Sequence, residues 1–249
     1  MELYLITGFL GAGKTTFLKN FARQFAGRRL RLIINEFGRA GVDGTLLREL
    51  DAALDEISNG SIFCACRLDQ FEAALEQAAA DAPDVVLVEA SGLADPTNVR
   101  RVLAQFPAVS YQGSVCVADA ARLEKVFSTA RACPRQLAVS SLVLLNKTDL
   151  ATEAQCAEAK ALILRANPAA RIRRTQFGRF EPEWLSLIVP DVDVDEVLDM
   201  PDITLQKAVL QIRPTMPFAA LQKCLVQLAG ETWRIKGFVR VPEGIFYVD

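Results

Sequence analysis

The chain has 249 residues, 51% of them hydrophobic, and its 28 Lys plus Arg nearly balance 30 Asp plus Glu for a net charge of -2. That size holds one large domain, with or without a small appendage, and the balanced charge excludes the basic surface that nucleic-acid binding demands. The chain contains no histidine, so imidazole bases, histidine triads and the commonest metal ligand are excluded, and any metal site must be built from sulfur and oxygen.

No apolar run approaches the roughly 18 residues of a membrane span. Met1-Glu2 leads straight into an apolar stretch, leaving no room for a signal peptide. Six cysteines without an export signal read as reduced thiols. The expectation is a cytoplasmic globular protein with neither membrane nor nucleic acid as a partner.

The run Leu3-Tyr4-Leu5-Ile6 predicts a buried strand, and Phe17, Leu18, Phe21, Ala22 and Phe25 recur at helical spacing just downstream. Between them, Gly8, Gly13, Lys14 and Thr15 fit the phosphate-loop pattern G-x-x-x-x-G-K-[ST] in the strand–loop–helix context that it requires. Glycine lets successive N–H groups converge on anionic oxygens with no Cβ in the way, and the helix start adds partial positive charge. Gly8, Gly11, Ala12 and Gly13 are therefore expected to cradle a nucleoside triphosphate. Lys14 would reach the β- and γ-phosphates, the Thr15 hydroxyl would sit on Mg²⁺, and Thr16 would touch the α-phosphate.

A second strand is predicted over Leu30–Ile34, running into Asn35-Glu36-Phe37-Gly38 and a polar loop through Asp43. Glu36 and Asp43 are either switch carboxylates that reach Mg²⁺ or solvated loop charges. A short amphipathic piece around Leu46, Leu47 and Leu50 precedes a turn at Asn59-Gly60, after which come Cys64 and Cys66. The spacing of Phe71, Ala74, Leu75 and Ala78 predicts a helix from Asp69 to Ala80, and Asp84–Val88 a strand that ends in Glu89-Ala90-Ser91-Gly92. At that strand end Glu89 can hold Mg²⁺ through water or orient the attacking water, and Gly92 can present its N–H to the γ-phosphate. Lys14, Glu89 and Gly92 are thus the candidate catalytic groups.

Further apolar runs at Ser114–Ala118, Leu142–Leu145 and Arg171–Thr175 alternate with helical patterns. The alternation predicts an α/β fold, a P-loop NTPase with a mainly parallel, doubly wound sheet. Asn146-Lys147-Thr148-Asp149 follows one of these runs directly. A carboxylate such as Asp149 can accept both N1–H and N2–H₂ of guanine, an arrangement adenine cannot offer. Asn146 can meet the O6/N7 edge, and the aliphatic stem of Lys147 can cover the ring. The alternative is a polar loop after a strand, but its place at a strand's C-terminal end, where ligands bind in such sheets, favours guanine.

Composition changes near Val189. Residues 1–189 read as the nucleotide domain, 190–203 as an acidic, proline-containing linker, and 204–249 as a small C-terminal α+β module that ends abruptly enough to suggest truncation. Within it, Ala208–Ile212 predicts a strand, Pro217–Leu228 a helix, and Trp233–Val241 with Ile245–Val248 a hairpin turning at Glu243-Gly244. Cys116, Cys156 and Cys224 fall on apolar faces and Cys133 in a loop, none of them expected as a ligand; Trp184 and its neighbours read as core.

Taken together, these segments resemble the CobW-type GTPases, the metal-homeostasis and cofactor-assembly relatives of the urease- and hydrogenase-maturation GTPases. The resemblance is carried by Thr7-Gly8-Phe9-Leu10-Gly11-Ala12-Gly13-Lys14-Thr15-Thr16, Asn35-Glu36-Phe37-Gly38, Glu89-Ala90-Ser91-Gly92-Leu93-Ala94-Asp95-Pro96 and Asn146-Lys147-Thr148-Asp149. Asn167-Pro168 and Arg234-Ile235-Lys236-Gly237-Phe238 also fit. It implies slow GTP hydrolysis coupled to handing a metal or metallocofactor to a client protein, with GTP/GDP and Mg²⁺ bound and a homodimer across the nucleotide left open.

One departure is chemical. Such proteins carry a C-x-C-C metal motif after an Asn-Gly turn, whereas the three positions here read Ser61, Phe63 and Cys64, with Cys66 two residues later. Cys64 and Cys66, with Glu36 as an oxygen ligand, either chelate a borderline ion such as Zn²⁺ or Co²⁺ or are small buried apolar residues. The expected function is accordingly a GTPase switch that delivers a metal or assembles a metallocofactor. The alternatives are a GTP-driven chaperone of a corrinoid or other metalloenzyme that carries no metal itself, and a P-loop small-molecule kinase. Arg39 and Arg67 are candidate arginine fingers.

Overall fold

Each apolar run read as a strand up to residue 175 becomes part of one parallel sheet in the computed structural model, which describes residues 1–36, 52–58, 68–190, 210–212, 216–231, 235 and 237–248. The elements of the larger unit run β1 (Glu2–Thr7), α1 (Lys14–Ala22), β2 (Leu30–Glu36), β3 (Ala52–Ser58), α2 (Leu68–Asp81), β4 (Val85–Glu89) and α3 (Val99–Leu103). They continue with β5 (Ser110–Asp119), α4 (Leu123–Thr129), α5 (Ala132–Ala138), β6 (Leu142–Asn146), α6 (Glu153–Ala166) and β7 (Arg171–Arg174). The sheet order is β3-β2-β4-β1-β5-β6-β7, and every neighbouring pair is parallel.

The strands alternate between two cores, which is why they read as continuous apolar runs. Tyr4 and Ile6 of β1 face one side with Leu32, Leu87, Val117 and Leu144, under Phe17, Leu18 and Phe21 of α1. Leu3 and Leu5 face the other with Val86 and Val88, under Phe71, Leu75 and Ala78 of α2. The first core is aromatic beneath α1: Phe17 and Phe21 stack with centroids 5.2 Å apart, Phe21 meets Phe180 at 4.9 Å, and Phe180 meets Trp184 edge-on at 5.8 Å. Such contacts fix the axis of α1, and with it the loop that leads into the helix.

Sequence periodicity gives no sign of β3. The segment Ala52-Ala53-Leu54-Asp55-Glu56-Ile57-Ser58 lacks a clean alternation, and its strand character comes from docking on the edge of β2. A charged clamp seals that edge. Arg31 is buried and forks onto Asp55, with Nε at 2.6 Å and Nη2 at 2.9 Å, while its Nη1 pairs with Asp81 at the end of α2. The fork–fork geometry is the strong form of this interaction, and removing one partner strands buried charge. Arg31→Met is expected to cost about 2–4 kcal/mol of stability, measured as a lowered urea midpoint with an unchanged slope.

The four cysteines among the described residues are free thiols, and Cys133, expected in a loop, lies buried in α5. Burial pushes the Cys116 thiol up to about 12 and drives Cys133 well above its ordinary value, aided there by the neighbouring Cys116. Both thiols therefore stay protonated at neutral pH, as packing residues do.

The chain divides into two compact units, Met1–Ile203 and Thr204–Asp249. In the second, α7 (Phe218–Glu231) is followed by the antiparallel pair β8 (Gly237–Val241) and β9 (Gly244–Val248). The hairpin turns through Pro242-Glu243, with Gly244 at φ 146°, one residue earlier than expected from the sequence. The described residues 210–212 carry no strand, and 208 and 209 lie outside the described residues, as do Trp233, the segment 191–203 expected as a linker, and the Leu46–Leu50 piece. Phe218 of α7 packs on Phe246 of β9 with centroids 4.5 Å apart.

Candidate functional site

The phosphate loop lies between the C-terminal end of β1 and the first turn of α1. Gly8 and Gly13 are glycines for different reasons. A Cβ on Gly8, at φ 134°, would lie 2.2 Å from the Val117 carbonyl oxygen of the neighbouring strand. A Cβ on Gly13, at φ 103°, would lie 2.6 Å from Asn146 Nδ2, so the loop must pass directly over the residue that opens the base-reading segment. Gly11, at φ 73°, needs the left-handed region for the turn itself. Lys14 is 8% exposed and donates from Nζ to the Phe9 carbonyl at 3.3 Å, which holds its ammonium group over the loop. Thr16 lies exposed on the first turn of α1.

Across the loop stands the end of β4. Thr15 donates from Oγ1 to Glu89 Oε1 at 3.1 Å, and Glu89 is buried. Two hard oxygen donors side by side at a helix start are the donor set that Mg²⁺ takes, so these residues fit that ion. Next in sequence, Gly92 presses against the loop so closely that a Cβ there would come within 2.6 Å of Leu10 Cδ2 and 2.7 Å of Leu10 N. Asn35 at the end of β2 is buried between these parts. It donates from Nδ2 to the Ile57 carbonyl at 3.1 Å and accepts the Ser91 N–H at 3.3 Å, so it ties β3 to the turn beside the loop.

The segment Asn146-Lys147-Thr148-Asp149 is fastened to the loop that joins β1 to α1. Asn146 donates from Nδ2 to the Ala12 carbonyl at 2.9 Å and accepts the Gly178 N–H on Oδ1 at 3.0 Å. Sequence reasoning assigned Asn146 to the O6/N7 edge of guanine. Here both of its polar atoms brace protein, and what it retains for a base is the second Nδ2 hydrogen. Lys147, at φ 59°, donates from Nζ to the Gly11 carbonyl at 2.6 Å and to Asp119 Oδ2 at 2.8 Å, which stretches its stem across the ground between the loop and β5. Asp149 is exposed at the segment's outer edge.

Two further contributors lie outside the sequence motifs. Asp119, the last residue of β5, anchors the Lys147 ammonium and also accepts the Ala121 N–H at 3.0 Å. The turn after β7 is the other. Thr148 donates to the Thr175 carbonyl at 3.1 Å, and Asn20 of α1 donates to the carbonyls of Phe177 and Gly178 at 3.1 and 2.9 Å. Gly178, at φ 62°, sits where a Cβ would be 2.7 Å from the Phe17 nitrogen. Phe177 is 64% exposed and held at φ 54°, a conformation that bulky residues avoid unless the surroundings enforce it. An aromatic followed by glycine just beyond a strand was the available hint.

Asp43, Cys64, Cys66, Arg39 and Arg67 lie outside the described residues, and Glu36 is described only as the last residue of β2. Among the described residues no cluster of three or more Cys, Asp or Glu is arranged to hold a metal ion. No helix among them is long and apolar enough to cross a membrane.

Residues 2–174, ending with β7, match the family described as CobW/HypB/UreG, nucleotide-binding domain. The chain is 32% identical over 206 residues to a protein named zinc chaperone CobW from Pseudomonas aeruginosa, a match spanning 68% of this chain and 55% of that one. It is 26% identical over 226 residues to a protein named zinc chaperone YjiA from Escherichia coli, spanning 87% of this chain and 66% of that one. Its fold is similar to that of the Zn(II)-bound YjiA GTPase from E. coli, with a TM-score of 0.55 at 21% identity over 90% of this chain and 69% of that structure. The chain spans about half to two thirds of the length of the curated relatives it matches.

Proposed function

Because this chain belongs to the CobW/HypB/UreG family, we propose that it binds and hydrolyses GTP with Mg²⁺ and that this cycle drives delivery or assembly of a metal or metallocofactor in a client protein in the cytoplasm. The observation that carries the reading is the joint between phosphate and base subsites. Asn146 and Lys147 bond directly to the Ala12 and Gly11 carbonyls, so a cradle for phosphates and a reader for the base form one unit.

Gly8, Ala12 and Gly13 shape the backbone cradle, and Lys14 brings its positive charge to the oxygens of the transferring group. Thr15 and Glu89 would hold Mg²⁺, which supplies neutralisation of phosphate charge when bound. Glu89 orients water for in-line attack, with no covalent intermediate, and the Gly92 N–H meets the γ-phosphate. The Asp149 carboxylate selects guanine through N1–H and N2–H₂, while the Lys147 stem covers the ring. Turnover is expected to be slow unless Arg39 or Arg67 serves as an arginine finger.

The relatives' names make Zn²⁺ the first cargo ion to test, with Co²⁺ as comparison, and Cys64, Cys66 and Glu36 the residues to vary. Phe63 at one of the family's cysteine positions favours the second reading, in which the chain acts as a GTP-driven chaperone of a corrinoid or other metalloenzyme without carrying metal. One experiment divides the readings: GTP and ATP turnover with Mg²⁺, followed by Zn²⁺ and Co²⁺ titration of the chain with and without GTP. Preference for GTP and stoichiometric metal lost in Cys64→Ala supports delivery. GTP turnover with no stoichiometric metal supports the metal-free chaperone. Preference for ATP, with phosphate passed to a metabolite, refutes both and leaves the kinase.

A further inference from the structure

α5 is seven residues long and supplies nothing that reaches the phosphate loop, yet it grips the turn beside that loop at three points. Gln136 donates from Nε2 to the Gly92 carbonyl at 3.1 Å and to the Ala94 carbonyl at 2.9 Å, and Arg135 pairs with Asp95. Two carbonyl acceptors at hydrogen-bond distance require the NH₂ end of the amide to face the turn, so the orientation is chemically forced. Gln136 is 1% exposed, and its Oε1 is buried with no partner among the described residues. A buried orphan acceptor is destabilising. A Leu or Met would fill the same space without that cost, so the donor end is what the position requires.

The turn is immobilised on its other side too. Asn35 accepts the Ser91 N–H, the Ala94 N–H returns to the Ser91 carbonyl at 2.9 Å, and Leu10 closes the side of Gly92 on which a Cβ would stand. The post itself is anchored: Asn167 donates from Nδ2 to the carbonyls of Leu137, Ala138 and Ser140 at 3.2, 3.2 and 2.9 Å, which fixes the C-terminal end of α5. Asp95 shares in the grip. Burial alone would raise its pKa, but hydrogen bonds from Thr97 and Arg135 more than offset that and hold it below the ordinary carboxylate value, so it is ionised at neutral pH.

Resting on the GTP-hydrolysis reading, we infer that Gln136 is a positioning residue for the Gly92 peptide. By holding the Gly92 and Ala94 carbonyls from behind, it fixes the turn whose Ala94 N–H bonds the Ser91 carbonyl, the other end of the peptide that carries the Gly92 N–H, and through that turn it sets the direction of this N–H toward the γ-phosphate site and so how GTP is told from GDP. Its effect passes through the Ser91–Ala94 turn, and a displacement of about 1 Å in such a group is enough to change a rate by 10²-fold.

The test compares Gln136→Met, and Gln136→Leu should the first fold poorly, with the wild-type chain. The readouts are GTP kcat and KM with Mg²⁺ and the affinities for GDP and for a non-hydrolysable GTP analogue. The expected result is a fall in kcat of about 10- to 100-fold and a fall in the analogue-to-GDP affinity ratio, with GDP affinity within about twofold of wild type. An unchanged kcat and affinity ratio in variants of a wild type that turns over GTP overturns the assignment of Gln136 alone. A parallel loss of GDP and analogue binding in both variants also overturns it, because that is the signature of a merely structural residue. A wild type that binds both nucleotides without turnover overturns the hydrolysis reading instead, and the affinity ratio then still decides the role of Gln136.

Discussion

Lys14→Ala is expected to lower GTP turnover by about 10²–10³-fold or more, the usual effect of deleting one preorganised group aimed at developing charge. Lys14 is well suited to that role because it is pinned on both sides of its own length. Its backbone begins α1 directly after left-handed Gly13, and its ammonium group is folded back over the loop onto the Phe9 carbonyl. A charge held there meets a phosphate without first paying to be ordered. Alanine removes the charge and leaves the loop's glycines and the aromatic floor of α1 in place, so melting temperature should move little. Measurement of kcat together with the melting curve separates the two effects: a turnover loss of less than about tenfold would remove Lys14 from the chemistry.

Asp149→Ala is expected to weaken GTP by about 100-fold or more while leaving ATP unchanged, since two hydrogen bonds to an ionised acceptor at about 1.5–3 kcal/mol each are lost together. The exposed position of Asp149 makes the result easy to interpret, because among the described residues its side chain is not tied into the protein's own hydrogen bonds. Asn146 would not give so clean an answer. Its amide braces Ala12 and Gly178, and replacing it would loosen the loop and the β7 turn at once. The companion variant Asp149→Asn should shift preference toward xanthosine triphosphate, whose C2 carbonyl accepts the N–H that asparagine offers. Equal GTP-to-ATP selectivity in wild type and Asp149→Ala, measured by competition binding, would sink the assignment of guanine to this carboxylate.

The phosphate loop was legible in the sequence because its residue types follow from backbone geometry. A Cβ at Gly8 or Gly13 would enter the space of Val117 or Asn146, so only glycine serves, and the pattern survives in the letters. The inner strands β1, β4 and β6 were legible because both faces are buried and the apolar runs are unbroken. β3 was not, since its strand character depends on the edge of β2 and on the Arg31–Asp55 fork, neither of which leaves a local period. Asp119 and Gln136 were not legible either. One is an acid at the end of an apolar strand, the other an amide on a short helix, and only the folded sheet brings them to Lys147 and to Gly92. The brace formed by Asn146 was hidden in the same way: its letter matched a base-reading motif, while its bonds were tertiary.

The order of strands has a consequence for how the chain is made. β1 is synthesised well before its partners in the sheet, β4 and β5, with Glu2 registered against Val85 on one side and Ser110 on the other. Until both have been synthesised, β1 has no neighbours and the loop after it has no walls, so nucleotide cannot help the nascent chain to fold before Asp119 has been added. Late closure of this kind exposes sticky intermediates, and it makes this a protein whose yield during translation should respond to general chaperones more than to the supply of its own ligand.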